Sequence, residues 1–193
     1  MTPGDPERDA APPGGEDEIL MTRVAQGNAV AFEMLVRRHM RRALAIAQGI
    51  TGSGGDADEI AQEAFMRVWQ HAGRWDAGRA RFTTWLHRIV VNLSLDRRRR
   101  PALVPLEGAE ELPEEGELPP EAIARRQERL AVAAAMTGIP DRQRAAVTLF
   151  YFEDFSGREA AGIMGISTGA FEQLLARARR AIKAALADKI TRG

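Results

Sequence analysis

The chain has 193 residues, 45% of them hydrophobic and 28% charged, with 27 basic side chains, 27 acidic ones and no cysteine. That balance belongs to a globular protein, and the missing cysteine excludes disulfides, thiolate zinc sites and a cysteine nucleophile together. No apolar run approaches the roughly 20 residues that a membrane helix needs, and Met1 to Glu18 lacks the apolar core of a secretory signal, so a cytoplasmic protein without membrane insertion is expected.

Residues 1–16 are rich in Pro, Gly and acids and are expected to form a disordered tail. A helix is expected from about Asp17, with Ile19, Leu20 and Val24 apolar, ending at Gly27. Asn28 can cap a second helix that turns Phe32, Leu35, Val36, Met40 and Leu44 inward. It is expected to run to about Gln48 and to break at Gly49 and the glycines that follow. Asp56, with Glu59 three residues on, reads as a capping-box start for a third helix. Ile60, Ala61, Ala64, Phe65, Val68 and Trp69 form its apolar side, and Asp58, Glu59, Gln62 and Glu63 crowd its polar first turns. A loop from Ala72 to Ala80 carries Trp75, read as exposed, and Arg79. Phe82, Trp85, Leu86, Ile89, Val90 and Leu93 then fall on one face of a fourth helix, with Trp85 read as core. Arg81, Arg88, Asn92 and Arg99 fall within about 40° of one another on another side, and the run Arg97 to Arg100 closes the helix. Four arginines cannot lie unpaired in a core.

Pro101 stops this first domain, 17–100. Residues 101–121 hold seven acids and no base and read as an extended, flexible acidic linker. Residues 122–136 resume helically, Pro140 suits a first helical turn, and Asp141 to Phe152 reads as the next helix, with Val147, Phe150 and Tyr151 apolar. The second domain is 122–193. No strand pattern is present, so the fold expected is all-α, two small helical domains joined by the linker.

The even charge total hides a segregation. Residues 19–100 carry 14 bases against 7 acids and residues 122–193 carry 12 against 7, while residues 1–18 and 101–121 are acidic. Two basic bodies tied by an acidic strap point to a polyanion partner. The stretch Ser156 to Lys183 has the spacing of a helix-turn-helix. Ala161 supplies the small residue at the helix crossing, Gly165 the permissive turn, and Phe171, Met164, Ile166 and Leu174 or Leu175 the apolar positions. Ser167 can cap the second helix, whose outer side offers Thr168, Glu172, Gln173, Arg177 and Arg180 to base edges and phosphates.

Taken together, these motifs resemble a bacterial RNA polymerase sigma factor of the extracytoplasmic-function group of the sigma-70 family, over about residues 17–100 and 122–187. Asp56-Ala57-Asp58-Glu59-Ile60-Ala61-Gln62-Glu63-Ala64-Phe65 resembles the helix that grips the polymerase clamp. The resemblance implies polymerase binding by Asp58, Glu59, Gln62 and Glu63. Arg81-Phe82-Thr83-Thr84-Trp85-Leu86 with Asn92 and Asp96 resembles the melting and minus-ten segment. That implies promoter contact by Trp75, Arg79, Arg81, Arg88, Asn92, Arg97, Arg98, Arg99 and Arg100. Arg142-Gln143-Arg144 and the helix-turn-helix resemble the minus-thirty-five domain, implying DNA contact by Arg142, Ser167, Thr168, Glu172, Gln173, Arg177, Arg179 and Arg180. The chain departs from the family where Glu172 and Leu174 stand in place of basic residues.

The function implied is promoter recognition and melting on core RNA polymerase. The alternative is a stand-alone helix-turn-helix regulator, which would need neither the acidic third helix nor the Arg81–Arg100 segment. No phosphate cradle or nucleophile–base pair appears, and His39, His71 and His87 have no metal-ligand spacing and read as surface residues. Neither catalysis, a cofactor, a metal nor a small-molecule ligand is therefore expected. The partners expected are core RNA polymerase, promoter DNA and an anti-sigma factor closing over the third helix and part of 140–175. Self-inhibition by the acidic tracts is the rival means of control.

Overall fold

Seven helices, a helical segment at 134–136 and two short irregular turns carry the described chain, which in this computed structural model comprises residues 15–99, 134–136 and 138–192, with side chains to residue 187. The linker 101–121, residues 1–14, Arg100 and most of the helix expected over 122–136 lie outside the described residues. In chain order the elements are α1 (Glu16–Ala25), α2 (Ala29–Thr51), α3 (Gly54–His71), a 3₁₀ turn (Ala72–Arg74), α4 (Phe82–Arg99), α5 (Asp141–Val147) running into a π turn (Thr148–Phe152), α6 (Gly157–Met164) and α7 (Thr168–Arg192). No strand occurs among the described residues.

The helix ends follow local chemistry, with three corrections to the sequence reading. Asn28 caps α2 as expected, its side chain accepting from the Ala31 amide at 2.9 Å. Ser53, rather than Asp56, caps α3, its hydroxyl accepting from the Asp56 amide at 3.2 Å; a serine with extended backbone ahead of the glycines starts the helix three residues early. α1 likewise takes in Glu16, which the sequence assigned to the tail. Finally, α2 does not break at Gly49 but continues to Thr51 and stops at Gly52, whose φ of 76° is left-handed. Gly49 serves a different purpose. A Cβ there would stand 2.5 Å from Thr148 Cγ2, so the missing side chain lets the second domain lie directly against α2.

In the first domain α2, α3 and α4 pack against one another and α1 lies across them. Leu35, Ile46, Val68, Phe82, Leu86 and Val90 are fully buried there, each such side chain contributing about 1.5–3 kcal/mol of apolar transfer. α1 is pinned by polar contacts. Asp17 pairs with Arg38 at 2.6 Å and with His39 Nε2 at 2.8 Å, and Glu18 accepts the amide of Phe82, the first residue of α4, at 3.1 Å. His39 and His87 are buried, not superficial. Burial holds the His39 imidazole below its ordinary pKa against the pull of Asp17, so a neutral ring donates through Nε2.

The second domain packs α5, the π turn, α6 and α7 about Leu149, Ile163, Phe171 and Ala178. Its buried side chains and those of the first domain form one apolar cluster, because α5 and the π turn rest on α2, and α6 on α4.

Candidate nucleic-acid interface

α3 offers its acidic turns outward. Asp58, Glu59 and Gln62 are exposed, and Glu63 is half-buried, bonded to Arg67 at 2.8 Å one turn on. Asp56 and Glu59 both hold Arg97 of α4, Asp56 Oδ1 at 3.1 Å from Nε and Glu59 through Nη2. The acidic surface of α3 and the basic end of α4 therefore meet at one side chain. A groove of about 330 Å³ lies between them, lined by Glu59, Ile60, Glu63, Arg67, Leu93, Asp96 and Arg97.

The residues expected at the minus-ten element do not form one open stripe. Asn92 is exposed. Arg79 is exposed beside Asp76 at 3.4 Å, and Arg99 beside Asp96 at 3.5 Å. Arg88 donates to the Gly162 carbonyl of α6 at 2.6 Å, and Arg98 Nε lies 2.9 Å from Asp141 Oδ1 of α5. Arg81 lines a cleft between the domains of about 290 Å³ with Thr83, Thr84, Phe155, Arg158, Glu159 and Ile163. Trp75, read as exposed, is half-buried against the core, and its indole N–H is enclosed without a partner. The 3₁₀ turn draws the loop inward behind Ala72. Trp85 is half-buried against the same core.

The helix-turn-helix is built as its spacing requires. Ser156 and Glu159 form a capping box at the start of α6. Gly165 turns the chain with φ +65°, where a Cβ is disfavoured. Ala161 and Phe171 are buried, and the Ser167 hydroxyl accepts from the Ala170 amide at 3.2 Å to start α7. Ser167, Thr168, Glu172, Gln173, Arg177 and Arg180 are exposed, as is Arg142 in α5. Gln173, Arg177 and Arg180 share a sector of about 60°. Arg179 turns elsewhere. It bonds the Tyr151 hydroxyl and stands 5.5 Å from the Tyr151 ring and 5.9 Å from the Phe150 ring.

Sequence reasoning missed the contacts between the domains. Arg42 of α2 lies 4.1 Å over the Phe155 ring and 3.3 Å from Glu153. His87 of α4 meets Phe155 from another side at 5.2 Å between ring centroids. Its two ring nitrogens are buried without partners. Burial, reinforced by Arg42 and His39, lowers its pKa to about 3. Arg144, 2% exposed, reaches from α5 to the end of α2. No sequence pattern marks these pairs, because each joins residues far apart in the chain.

The arrangement is that of a two-domain helical protein with a helix-turn-helix in the second domain. Residues 35–102 match the Sigma-70 region 2 family and residues 129–182 the Sigma-70, region 4 family. The chain is 34% identical over 164 residues to the ECF RNA polymerase sigma factor SigM of Mycobacterium tuberculosis, covering 84% of this chain and 80% of that protein. It is 32% identical over 184 residues to the RNA polymerase sigma-H factor of Pseudomonas aeruginosa, covering 89% and 94%. The solved structure of CnrH in complex with the cytosolic domain of CnrY is similar with a TM-score of 0.66 and 30% identity, covering 90% of this chain and 99% of that one. The chain belongs to the extracytoplasmic-function group of the sigma-70 family and is an RNA polymerase sigma factor. No described helix is long and apolar enough to cross a membrane.

Proposed function

We propose that α3 docks on core RNA polymerase through Asp58, Glu59, Gln62 and Glu63, that α4 and the loop before it meet the minus-ten element, and that α7 reads the minus-thirty-five element. Arg79, Arg81, Arg88, Asn92 and the arginines 97–100 supply the minus-ten contacts, with Trp75 beside the path of an extruded base. Arg142, Ser167, Thr168, Glu172, Gln173, Arg177 and Arg180 meet the second element, the hydroxyls and cations on phosphates and Gln173 on base edges. Arg179, committed to Tyr151, supports the helix more than it touches DNA. The chain acts without chemistry of its own, in the cytoplasm.

The observation that carries this reading is the Arg97 junction, where the acidic turns of α3 meet the basic end of α4. A stand-alone regulator has no use for the first of these. CnrH is held by the cytosolic domain of CnrY in its solved structure, which supports a protein inhibitor for this chain too, one that covers part of α3 and of α5 to α7.

The test is reconstitution of the full-length chain with core RNA polymerase on a randomised promoter pool, with the transcripts sequenced. Co-elution with core and start sites downstream of two shared elements are expected. Specific DNA binding by the chain alone, with no core association and no defined starts, would favour the regulator instead.

A further inference from the structure

Between Thr168 and Ala187, α7 carries a single acid, Glu172, against four bases. Glu172 is exposed, and no cation stands three or four residues from it on either side, where Thr168, Gly169, Leu175 and Ala176 lie. It makes no ion pair among the described residues. It also sits in the second turn of α7, past the first turn within which the helix dipole favours an acid. Nothing inside the fold therefore accounts for this carboxylate. Gly169 is equally unexplained from within. A Cβ there would meet nothing within 4 Å, and its φ is not positive, so the fold tolerates alanine, the stronger helix former. At about 100° per residue, Gly169, Glu172 and Ala176 fall within about 60° of one another, all exposed and turned away from the buried Phe171, Leu175 and Ala178. We infer that Glu172 reads a cytosine of the minus-thirty-five element by accepting from its N4 amino group, with Gly169 left bare so that α7 can approach the base edges. This deepens the reading of α7 given above and rests on it.

The choice of base follows from donors and acceptors. An ionised carboxylate only accepts hydrogen bonds, and it is repelled by phosphate. On a helix that enters the major groove it weakens binding to every sequence, except where a base donates to it. Guanine shows N7 and O6 there and thymine shows O4, all of them acceptors. Adenine sets its N6 donor beside its own N7 acceptor, whereas cytosine offers its N4 donor with no acceptor of its own in the groove. Cytosine is thus the best partner for Glu172, and guanine and thymine are the worst. Gln173 has both a donor and an acceptor and suits adenine, so adjacent residues read different bases. Both lie in the N-terminal part of α7, the part of a recognition helix that meets base edges. Arg177 and Arg180 follow one to two turns later, exposed and placed for phosphates.

The test uses the full-length chain with core RNA polymerase on the randomised promoter pool, sequencing each template that yields a transcript. One position of the upstream element should favour cytosine about fivefold or more over the other bases. Glu172→Ala should make that position tolerant while the other positions keep their preferences. Glu172→Arg should move the favoured base at the same position from cytosine to guanine, and Gln173→Ala should change a different position. All three side chains lie on the exposed side of α7, and an unchanged melting temperature verifies that each variant folds. Gly169→Ala should melt no lower than the parent, yet lose severalfold in transcription that depends on the upstream element. Starts below two elements with the same base preferences in the parent and the Glu172→Ala chain would overturn the cytosine contact and leave the promoter reading standing. Full upstream-dependent transcription by Gly169→Ala would overturn the close approach. A parent that selects no upstream element would overturn both the cytosine contact and the reading of α7 on which it rests.

Discussion

The guanidinium of Arg144 donates through Nη1 to the backbone carbonyl of Ile50 at 3.1 Å, across 94 residues of sequence. The same group donates through Nε to the Met136 carbonyl at 2.8 Å and through Nη2 to the Ile139 carbonyl at 3.4 Å. Ile50 lies in the last turn of α2, where carbonyls have no helical donor and the helix dipole favours a cation. A buried charge is tolerable only when its donors are filled in this manner. Burial and the nearby Arg98 lower its pKa, with Asp141 opposing them.

Arg144→Met should therefore destabilise the protein by on the order of 3 kcal/mol, since it strands buried carbonyls of both domains. Arg144→Lys should recover little of this, because an ammonium cannot reproduce the fork. Urea denaturation measures both. A loss below about 0.5 kcal/mol for the Met variant would contradict the keystone role.

His87 makes the folded state sensitive to acid. Its pKa is about 3 in the folded chain and about 6.5 in the unfolded one, so the unfolded form binds the proton. The neutral ring's contribution is complete above pH 6.5 and is lost as pH falls from there toward 3, amounting to about 2 kcal/mol by pH 5. Glu153 acts in the opposite sense, since burial raises its pKa and acid then favours the folded form. His87→Leu isolates the histidine. Its melting temperature should fall less between pH 7 and 5 than that of the parent, and parallel falls would refute the assignment.

The helix-turn-helix was legible because its constraints are local. Ala161, Gly165 and Phe171 lie within eleven residues, and steric demands at the crossing and the turn fix their types. The acidic face of α3 and the apolar face of α4 were legible from period alone. Gly49 was not, because the reason for its missing side chain is Thr148, a residue of the other domain. In the sequence alone a glycine reads as a stop, its commoner meaning. Similarly, a histidine without metal-ligand spacing reads as surface, and nothing near His87 in the chain announces that Phe155 will cover it.

If α7 reads DNA as proposed, its arginines divide by role. Arg177→Ala and Arg180→Ala should each weaken binding across all sequences and reduce the salt slope by about one. Gln173→Ala should change sequence preference instead. Arg179→Ala, which loses Tyr151 and Phe150, should lower stability with little change in the slope. An equal slope change for Arg179 would put it on the DNA face.

The acids of α3 differ in what they can report about polymerase binding. Glu59 is a poor choice, because it holds Arg97 beside Asp56. Glu59→Lys would set two cations together and disturb the end of α4, so a loss of core binding would have two causes. Asp58 and Gln62 are exposed and make no ion pair among the described residues. Asp58→Lys with Gln62→Lys should reduce core polymerase binding at least tenfold, shift stability by no more than about 0.5 kcal/mol, and leave free-chain DNA binding no weaker. The swapped pair Glu59→Lys with Arg97→Glu supplies the complement. It should regain the stability that Glu59→Lys loses, yet still bind core weakly, because the acid has moved from α3 to α4. Normal core binding by the Asp58/Gln62 variant would remove polymerase docking from this face. Normal core binding by the swap would mean that only the pairing, and not the sign of charge on α3, matters to the partner.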